Sequence, residues 1–154
     1  MRLTAATALA LLLMSGPAQS QAMHKIVDPS SIKWGPGPTS MQPGVKSALL
    51  YGDPTKPELF VMRLKFPKGF RVAPHTHPRP EILTVISGAV HFGTGRVANR
   101  GKARLLRAGS FSALGPNMPH FSFFDQETVI QVSTTGPWSV TYVNPADDPR
   151  IKPK

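Results

Sequence analysis

The sequence predicts an all-β fold, an antiparallel sandwich or jelly-roll barrel, with little or no helix beyond the N-terminal 22 residues. Short runs rich in β-branched and aromatic residues recur about ten times along the chain. Glycine, proline and asparagine separate these runs at regular intervals, as turns between strands require. After residue 22, no segment shows the apolar period of an amphipathic helix. Such an architecture can bring distant strands around one pocket.

The N-terminal segment predicts a secretory signal peptide over residues 1–22. Arg2 precedes an apolar run over 3–14, and small residues follow that run. The run is shorter than the roughly 20 apolar residues that span a bilayer. No second such run follows, so no membrane span is expected. Cleavage can follow Ser20 or Ala22, and in either case we expect an exported protein, periplasmic or secreted.

The composition is basic and free of cysteine. The chain has 18 Lys and Arg against 8 Asp and Glu, a formal net charge of +10. A basic domain can bind nucleic acid, but an exported protein is not expected to meet that partner, and no aromatic residues interleave the charges at stacking intervals. A solvated basic face is the simpler interpretation. Steering of anionic substrates, or contact with anionic envelope surfaces, is the alternative.

Three regions follow the leader, and together they form one domain. An arm over 23–46 is crowded with proline and glycine, which favours an extended segment with turns. The barrel is expected over 47–144, where the strand-forming runs lie. Its predicted strands are 47–51, 58–66, 72–77, 82–87, 89–93, 104–106, 110–114, 120–124, 128–134 and 140–143. The tail over 145–154 holds three prolines and mixed charges, which indicates surface coil.

A cluster of metal-ligating side chains is the strongest functional signal. Side chains two apart on a strand point the same way, so His75 and His77 can reach one ion together. Pro78 and Pro80 then bend the chain, and the bend brings Glu81 back towards the same ion. Glycines flank the group in the pattern Gly69-x5-His75-x-His77-x3-Glu81-x6-Gly88.

A fourth ligand is expected from a distant strand. His120 ends a second apolar segment in the pattern Gly109-x10-His120, and it would complete a set of three imidazoles and one carboxylate. A lone histidine pair is more often two hydrogen-bonded or exposed rings, but four ligands favour a metal. Imidazole with carboxylate suits a divalent iron, manganese, nickel, copper or zinc ion, and four ligands leave coordination positions open for chemistry.

The run from Gly69 to Gly88 resembles the first motif of the cupin superfamily at every defining position. The resemblance implies a double-stranded β-helix, that is, a jelly-roll barrel, with a metal held by His75, His77, Glu81 and His120. The second motif is imperfect, because Gly115, Asn117 and Phe124 stand where proline, glycine and asparagine are usual. Asn117 can adopt the left-handed backbone conformation that the turn demands. Further motifs resemble those of small exported bacterial single-domain cupins of unassigned role: Trp34-Gly35-Pro36, Gly52-Asp53-Pro54, Gly136-Pro137-Trp138 and the segment 142–150.

Strand alternation predicts the wall around the metal. If Glu81 points inward, Leu83 and Val85 do too, and Ser122 and Phe124 follow His120 in the same way. We therefore expect a mostly apolar pocket that favours dioxygen, hydroxide, an enolate or a small aromatic or carboxylate ligand. No Asp or Lys is placed as a general base, which argues against a hydrolase, and no catalytic residue is assigned.

Two classes of function fit these observations. The first is a metal-dependent enzyme of the oxygenase type, with isomerase and lyase chemistry as variants, acting on a small molecule. The second is a non-catalytic periplasmic module that binds or senses a metal or a ligand. A homodimer is expected because a sandwich has exposed edge strands. His91 is expected to be an exposed strand residue or a hydrogen-bond donor rather than a ligand.

Overall fold

The computed structural model describes residues 24–151, and the predicted signal peptide lies outside this part of the chain. Two antiparallel sheets pack face to face, which confirms the all-β prediction. In chain order the strands are β1 (Gly35–Pro36), β2 (Lys46–Tyr51), β3 (Leu59–Phe66), β4 (Arg71–Thr76), β5 (Glu81–Ser87), β6 (Ala89–Thr94), β7 (Arg104–Arg107), β8 (Phe111–Leu114), β9 (His120–Phe123), β10 (Thr128–Thr135) and β11 (Thr141–Tyr142). One sheet has the order β1-β2-β3-β10-β5-β8, and the other has β11-β4-β9-β6-β7.

All ten predicted strands are present, with ends that differ by one residue at most. The helical content of the described part is limited to three short 3-10 turns, and no helix there is long and apolar enough to cross a membrane. Part of the extended arm forms a strand, since β1 pairs with β2 and Gly37 N donates to Val45 O at 2.9 Å. A Cβ on Gly37 would lie 2.7 Å from that carbonyl oxygen, so only glycine permits the approach.

The core forms where the two sheets face each other. Alternate residues of β3 point inward, and burial of each large apolar side chain contributes about 1.5–3 kcal/mol. The rings of Phe66 and Phe124 stack within this core, with 4.2 Å between centroids. The inward row of β3 is Phe60, Met62, Leu64 and Phe66.

Backbone geometry explains the residue type at two turns, one in each motif. Gly88 has φ +76°, and a Cβ there would lie 2.5 Å from Glu127 O, so the turn from β5 to β6 needs glycine. Asn117 has φ 57°, the left-handed conformation expected for it, and its N–H donates to His77 O at 2.8 Å. The second turn therefore holds the strand of His120 against the segment that carries His77.

The tail, described as far as residue 151, runs over the surface and is tied to the barrel. A 3-10 turn covers Pro145–Asp147, and Arg150 donates to Val140 O at 2.8 Å. Arg150 also pairs with Asp148 at 2.7 Å. These contacts explain why a proline-rich segment follows a defined path.

Candidate metal centre

Four expected ligands meet where the two sheets face each other. His75 lies on β4 directly opposite His120 on β9. His77 follows the end of β4, and Glu81 begins β5 in the other sheet. All four side chains are buried, with exposed fractions of 3–5 %. The structure thus brings together all four residues that the two motifs indicated.

The three imidazoles form a group of metal-binding size. One ring nitrogen from each of His75, His77 and His120 lies within 4.8 Å of the corresponding atoms of the other two. The ring centroids of His75 and His120 are 4.1 Å apart, and those of His77 and His120 are 5.2 Å apart. Three histidines at these distances can share one ion.

Backbone carbonyls fix the orientation of every ring. Nδ1 of His75 lies 2.8 Å from Ala73 O, Nδ1 of His77 2.8 Å from Ser139 O, and Nδ1 of His120 3.0 Å from Met118 O. A carbonyl oxygen can only accept, so each Nδ1 carries the proton and donates it. The neutral rings therefore present bare Nε2 lone pairs, the arrangement typical of histidines that bind a metal.

Glu81 adds a carboxylate to the same space. Its Oε2 lies 2.7 Å from His77 Nε2 and 3.6 Å from His120 Nε2. Yet Oε2 is buried without a hydrogen-bond donor, because neutral His77 offers only a lone pair there. The short contact is a hydrogen bond only when His77 gains a second proton. A buried carboxylate facing imidazole lone pairs needs a positive charge, so these residues fit a divalent ion.

The electrostatics favour an ionised Glu81 and neutral His75 and His120, whereas Glu81 promotes protonation of His77. Burial, then the charges of His120 and His77, lowers the pKa of His75 to about 3. Burial also lowers the pKa of His120. For His77 burial opposes ionisation, but the hydrogen bond and charge of Glu81 outweigh it and raise the pKa. Burial acts to raise the pKa of Glu81, but the three histidines together lower it. His77 is therefore the ring that holds a proton most readily.

A small cavity opens beside the four ligands. Leu83, Ser122 and Phe124 line it, together with Trp138. Its volume of about 20 Å³ accommodates one or two water molecules. The wall is mostly apolar, so a ligand in this space would be largely shielded from water.

Val85 differs from its predicted place in the pocket. It points inward with Glu81 and Leu83, but it lies farther along β5, buried in the hydrophobic core and away from the cavity wall. Alternation along a strand predicts which face a side chain lies on. The position along the strand decides whether that side chain is close enough to reach the ligands.

Other cavity residues escaped the sequence analysis. Met41 comes from the arm, Phe92 from β6, and Trp138 from the segment between β10 and β11. The Trp138 ring stacks on His77, with 5.3 Å between centroids and 18° between planes. Only the Gly136-Pro137-Trp138 triplet hinted at Trp138, and strand periodicity says nothing about residues in loops.

His91 lies on the opposite face of the second sheet from these ligands. Its Nε2 is 3.1 Å from Asp125 Oδ2, and Arg100 pairs with the same carboxylate. The half-buried ring is thus a hydrogen-bonding residue of the strand, as its isolated position in the sequence indicated.

The sequence profile of a domain of unknown function, DUF4437, matches residues 17–141. The chain belongs to the DUF4437 family. No curated protein matches this DUF4437 chain by sequence.

Solved structures share the fold of this DUF4437 domain. A protein assigned provisionally as an acetylacetone dioxygenase, from Methylibium petroleiphilum, is 21% identical, with a TM-score of 0.64 over 85% of this chain and 88% of that one. The polyketide cyclase RemF from Streptomyces resistomycificus is 17% identical, with a TM-score of 0.63 over 82% and 90%. An RmlC-like cupin from Shewanella frigidimarina is 15% identical, with a TM-score of 0.57 over 73% and 91%. These similarities confirm the cupin fold.

Proposed function

We propose that the protein is a metal-dependent enzyme of the oxygenase type that acts on a small enolic, aromatic or carboxylate compound. The observation that carries this proposal is the convergence of three bare Nε2 atoms on a buried carboxylate oxygen that has no hydrogen-bond donor. His75, His77, Glu81 and His120 would hold the ion. A redox-active ion bound there would supply Lewis acidity and electron transfer to dioxygen.

The protein's own residues would position and isolate the substrate. The three backbone carbonyls fix the tautomer and the orientation of the imidazoles. Glu81 supplies the one negative charge among the ligands, which leaves the loaded site near a charge of +1 and favours an anionic substrate. Leu83 and Phe124 exclude water from the reacting groups.

Two of the similar structures support chemistry on enolisable compounds. One carries the name of an acetylacetone dioxygenase and the other that of a polyketide cyclase. Acetylacetone is a diketone whose enolate can chelate a divalent ion. We therefore propose a small β-dicarbonyl or phenolic compound as the substrate of this chain.

The cavity volume favours a second candidate, a non-catalytic module that binds a metal or a small ligand. A space of about 20 Å³ admits one or two waters, whereas an aromatic substrate needs movement of the wall. Such a module would tolerate zinc, which has no redox chemistry.

Metal analysis and oxygen uptake separate the two candidates. We expect protein purified from the compartment where it folds to contain about one redox-active ion per chain. It should consume dioxygen with acetylacetone or catechol, and the His77→Ala variant should not. Zinc in the isolated protein, with no uptake after replacement by iron, manganese, nickel or copper, would favour the binding module.

Export and self-association belong to the same proposal. The leader over 1–22 supports a periplasmic or secreted location. Phe111 lies on the edge strand β8 with 62 % of its surface exposed, a reason to expect pairing of two copies. Fractionation of cells and the mass of the protein in solution test these two expectations.

A further inference from the structure

Within residues 24–151, only two deeply buried side-chain polar atoms lack a hydrogen-bond partner, Glu81 Oε2 and Trp138 Nε1. Glu81 and Trp138 both line the metal cavity. Burying an indole N–H without an acceptor is unfavourable, so such a group calls for a physical explanation. The ion explains the carboxylate oxygen but cannot explain the indole, because a cation does not accept a hydrogen bond.

The surroundings of Trp138 restrict the movement of its side chain. Its backbone N–H donates to Pro54 O at 2.8 Å, and Gly136 N donates to Glu58 O at 3.0 Å. The next residue, Ser139, accepts from His77 Nδ1 at 2.8 Å. The indole ring also stacks on His77, one of the proposed ligands. The backbone is therefore held on both sides of Trp138, and the contact of Ser139 also orients the His77 ring.

Replacement of Gly136 would disturb this arrangement. A Cβ at that position would lie 2.3 Å from Lys56 O. The close approach of the two backbones brings the segment of Trp138 over the cavity. An unpartnered donor is thus built into a rigid wall rather than carried on a loose loop.

We infer that Trp138 Nε1–H donates a hydrogen bond to an anionic oxygen of the ligand that occupies the cavity, which makes Trp138 a specificity-determining residue for small oxyanions. This inference rests on the proposed function, since the ion holds the ligand. An indole N–H is a donor only, so it favours carboxylate and enolate oxygens over ligands that present their own donors. In an apolar, buried wall a hydrogen bond to a charged oxygen is stronger than in water.

Formate, the smallest carboxylate, is the probe for this role, with the cobalt-loaded protein as the reporter. Visible absorption of the bound cobalt follows formate binding in wild type and in Trp138→Phe, which keeps an aromatic ring but removes the donor. We expect Trp138→Phe to bind one cobalt per chain and to lose roughly tenfold to a hundredfold in formate affinity. Trp34→Phe is the matched control, because the ring of Trp34 packs under Lys65 Nζ at 4.6 Å and is not part of the cavity lining.

A second measurement needs no change at Trp138. In the zinc-loaded protein labelled with nitrogen-15, the Trp138 indole N–H resonance should move downfield as formate is added. The chain has two tryptophans, so the one indole signal that remains in Trp34→Phe belongs to Trp138. Unchanged formate affinity in cobalt-loaded Trp138→Phe would overturn the inference, as would an indole signal that stays in place or a wild type that binds cobalt but no formate. If wild type binds no metal, the proposed function itself fails.

Discussion

Two clusters of histidine and carboxylate lie on opposite faces of the second sheet. Inside, His77 Nε2 is 2.7 Å from Glu81 Oε2, and both side chains are nearly fully buried. Outside, His91 Nε2 is 3.1 Å from Asp125 Oδ2, and Asp125 has 58 % of its side chain exposed. The outer carboxylate has Arg100 as a cationic partner, whereas the inner one has only imidazole lone pairs. The difference shows that burial and missing countercharge, not residue type, make a ligand set.

Removal of one histidine ring from each cluster should give the largest difference in metal binding. His77→Ala should abolish stoichiometric metal binding, because one of the expected ligands is lost. His91→Ala should retain about one ion per chain, since its ring lies outside the cavity lining. Elemental analysis measures both, and circular dichroism should show a folded β-protein in each. Full occupancy in His77→Ala would contradict the assignment of His77.

Neutralising the two carboxylates tests the need for an internal countercharge. Glu81→Gln should weaken metal binding by roughly a hundredfold or more, beyond the 10–100-fold cost of losing an outer partner of a ligand. The metal-free variant should unfold at a higher temperature than wild type at pH 8, because the new amide can donate to the bare His77 Nε2.

Competition titration and thermal unfolding give these two quantities. A Glu81→Gln protein with wild-type affinity would show that the carboxylate is not a ligand. Asp125→Asn is the matched control, with wild-type metal affinity expected.

The pH dependence of metal binding should report His77. Because Glu81 raises the pKa of His77, metal-free protein holds a proton there below that pKa, and the ion must displace it. Affinity should therefore rise with pH up to the His77 pKa and level off above it. His75 contributes little in this range, since its pKa is about 3.

Calorimetry in buffers of different ionisation enthalpy should detect release of close to one proton per ion below the His77 pKa. In Glu81→Gln the midpoint of the profile should move to lower pH, because the interaction that raises the pKa is lost. An unchanged midpoint would show that the His77–Glu81 contact does not set the pH dependence of metal binding.

The smallest effect is expected inside the core. Val85→Ala should lower the free energy of unfolding by about 2 kcal/mol through lost burial, yet leave metal and formate binding unchanged. Leu83→Ala, on the same face of β5 but in the cavity wall, should change formate affinity as well. Chemical denaturation and formate titration compare them, and altered formate binding in Val85→Ala would place that residue nearer the site.

Particular residues show how far the sequence alone could go. The run from His75 to Glu81 could be interpreted locally, because alternation on a strand and bends at proline are short-range effects. The pairing of the arm cannot be interpreted locally, because β1 joins a sheet where Gly37 lets the chain approach Val45. Trp138 lies in a loop, where no period indicates which way a side chain faces.

The strand pattern, the types of ligand and the conformation of Asn117 can be predicted from the amino-acid sequence, since each follows from local sterics and side-chain chemistry. Long-range contacts set the remaining features: Ser139, 62 residues from His77, orients its ring, Val85 lies in the core outside the cavity lining, and a buried indole joins the wall. Strand register and loop closure set these contacts, and they depend on pairing between distant parts of the chain.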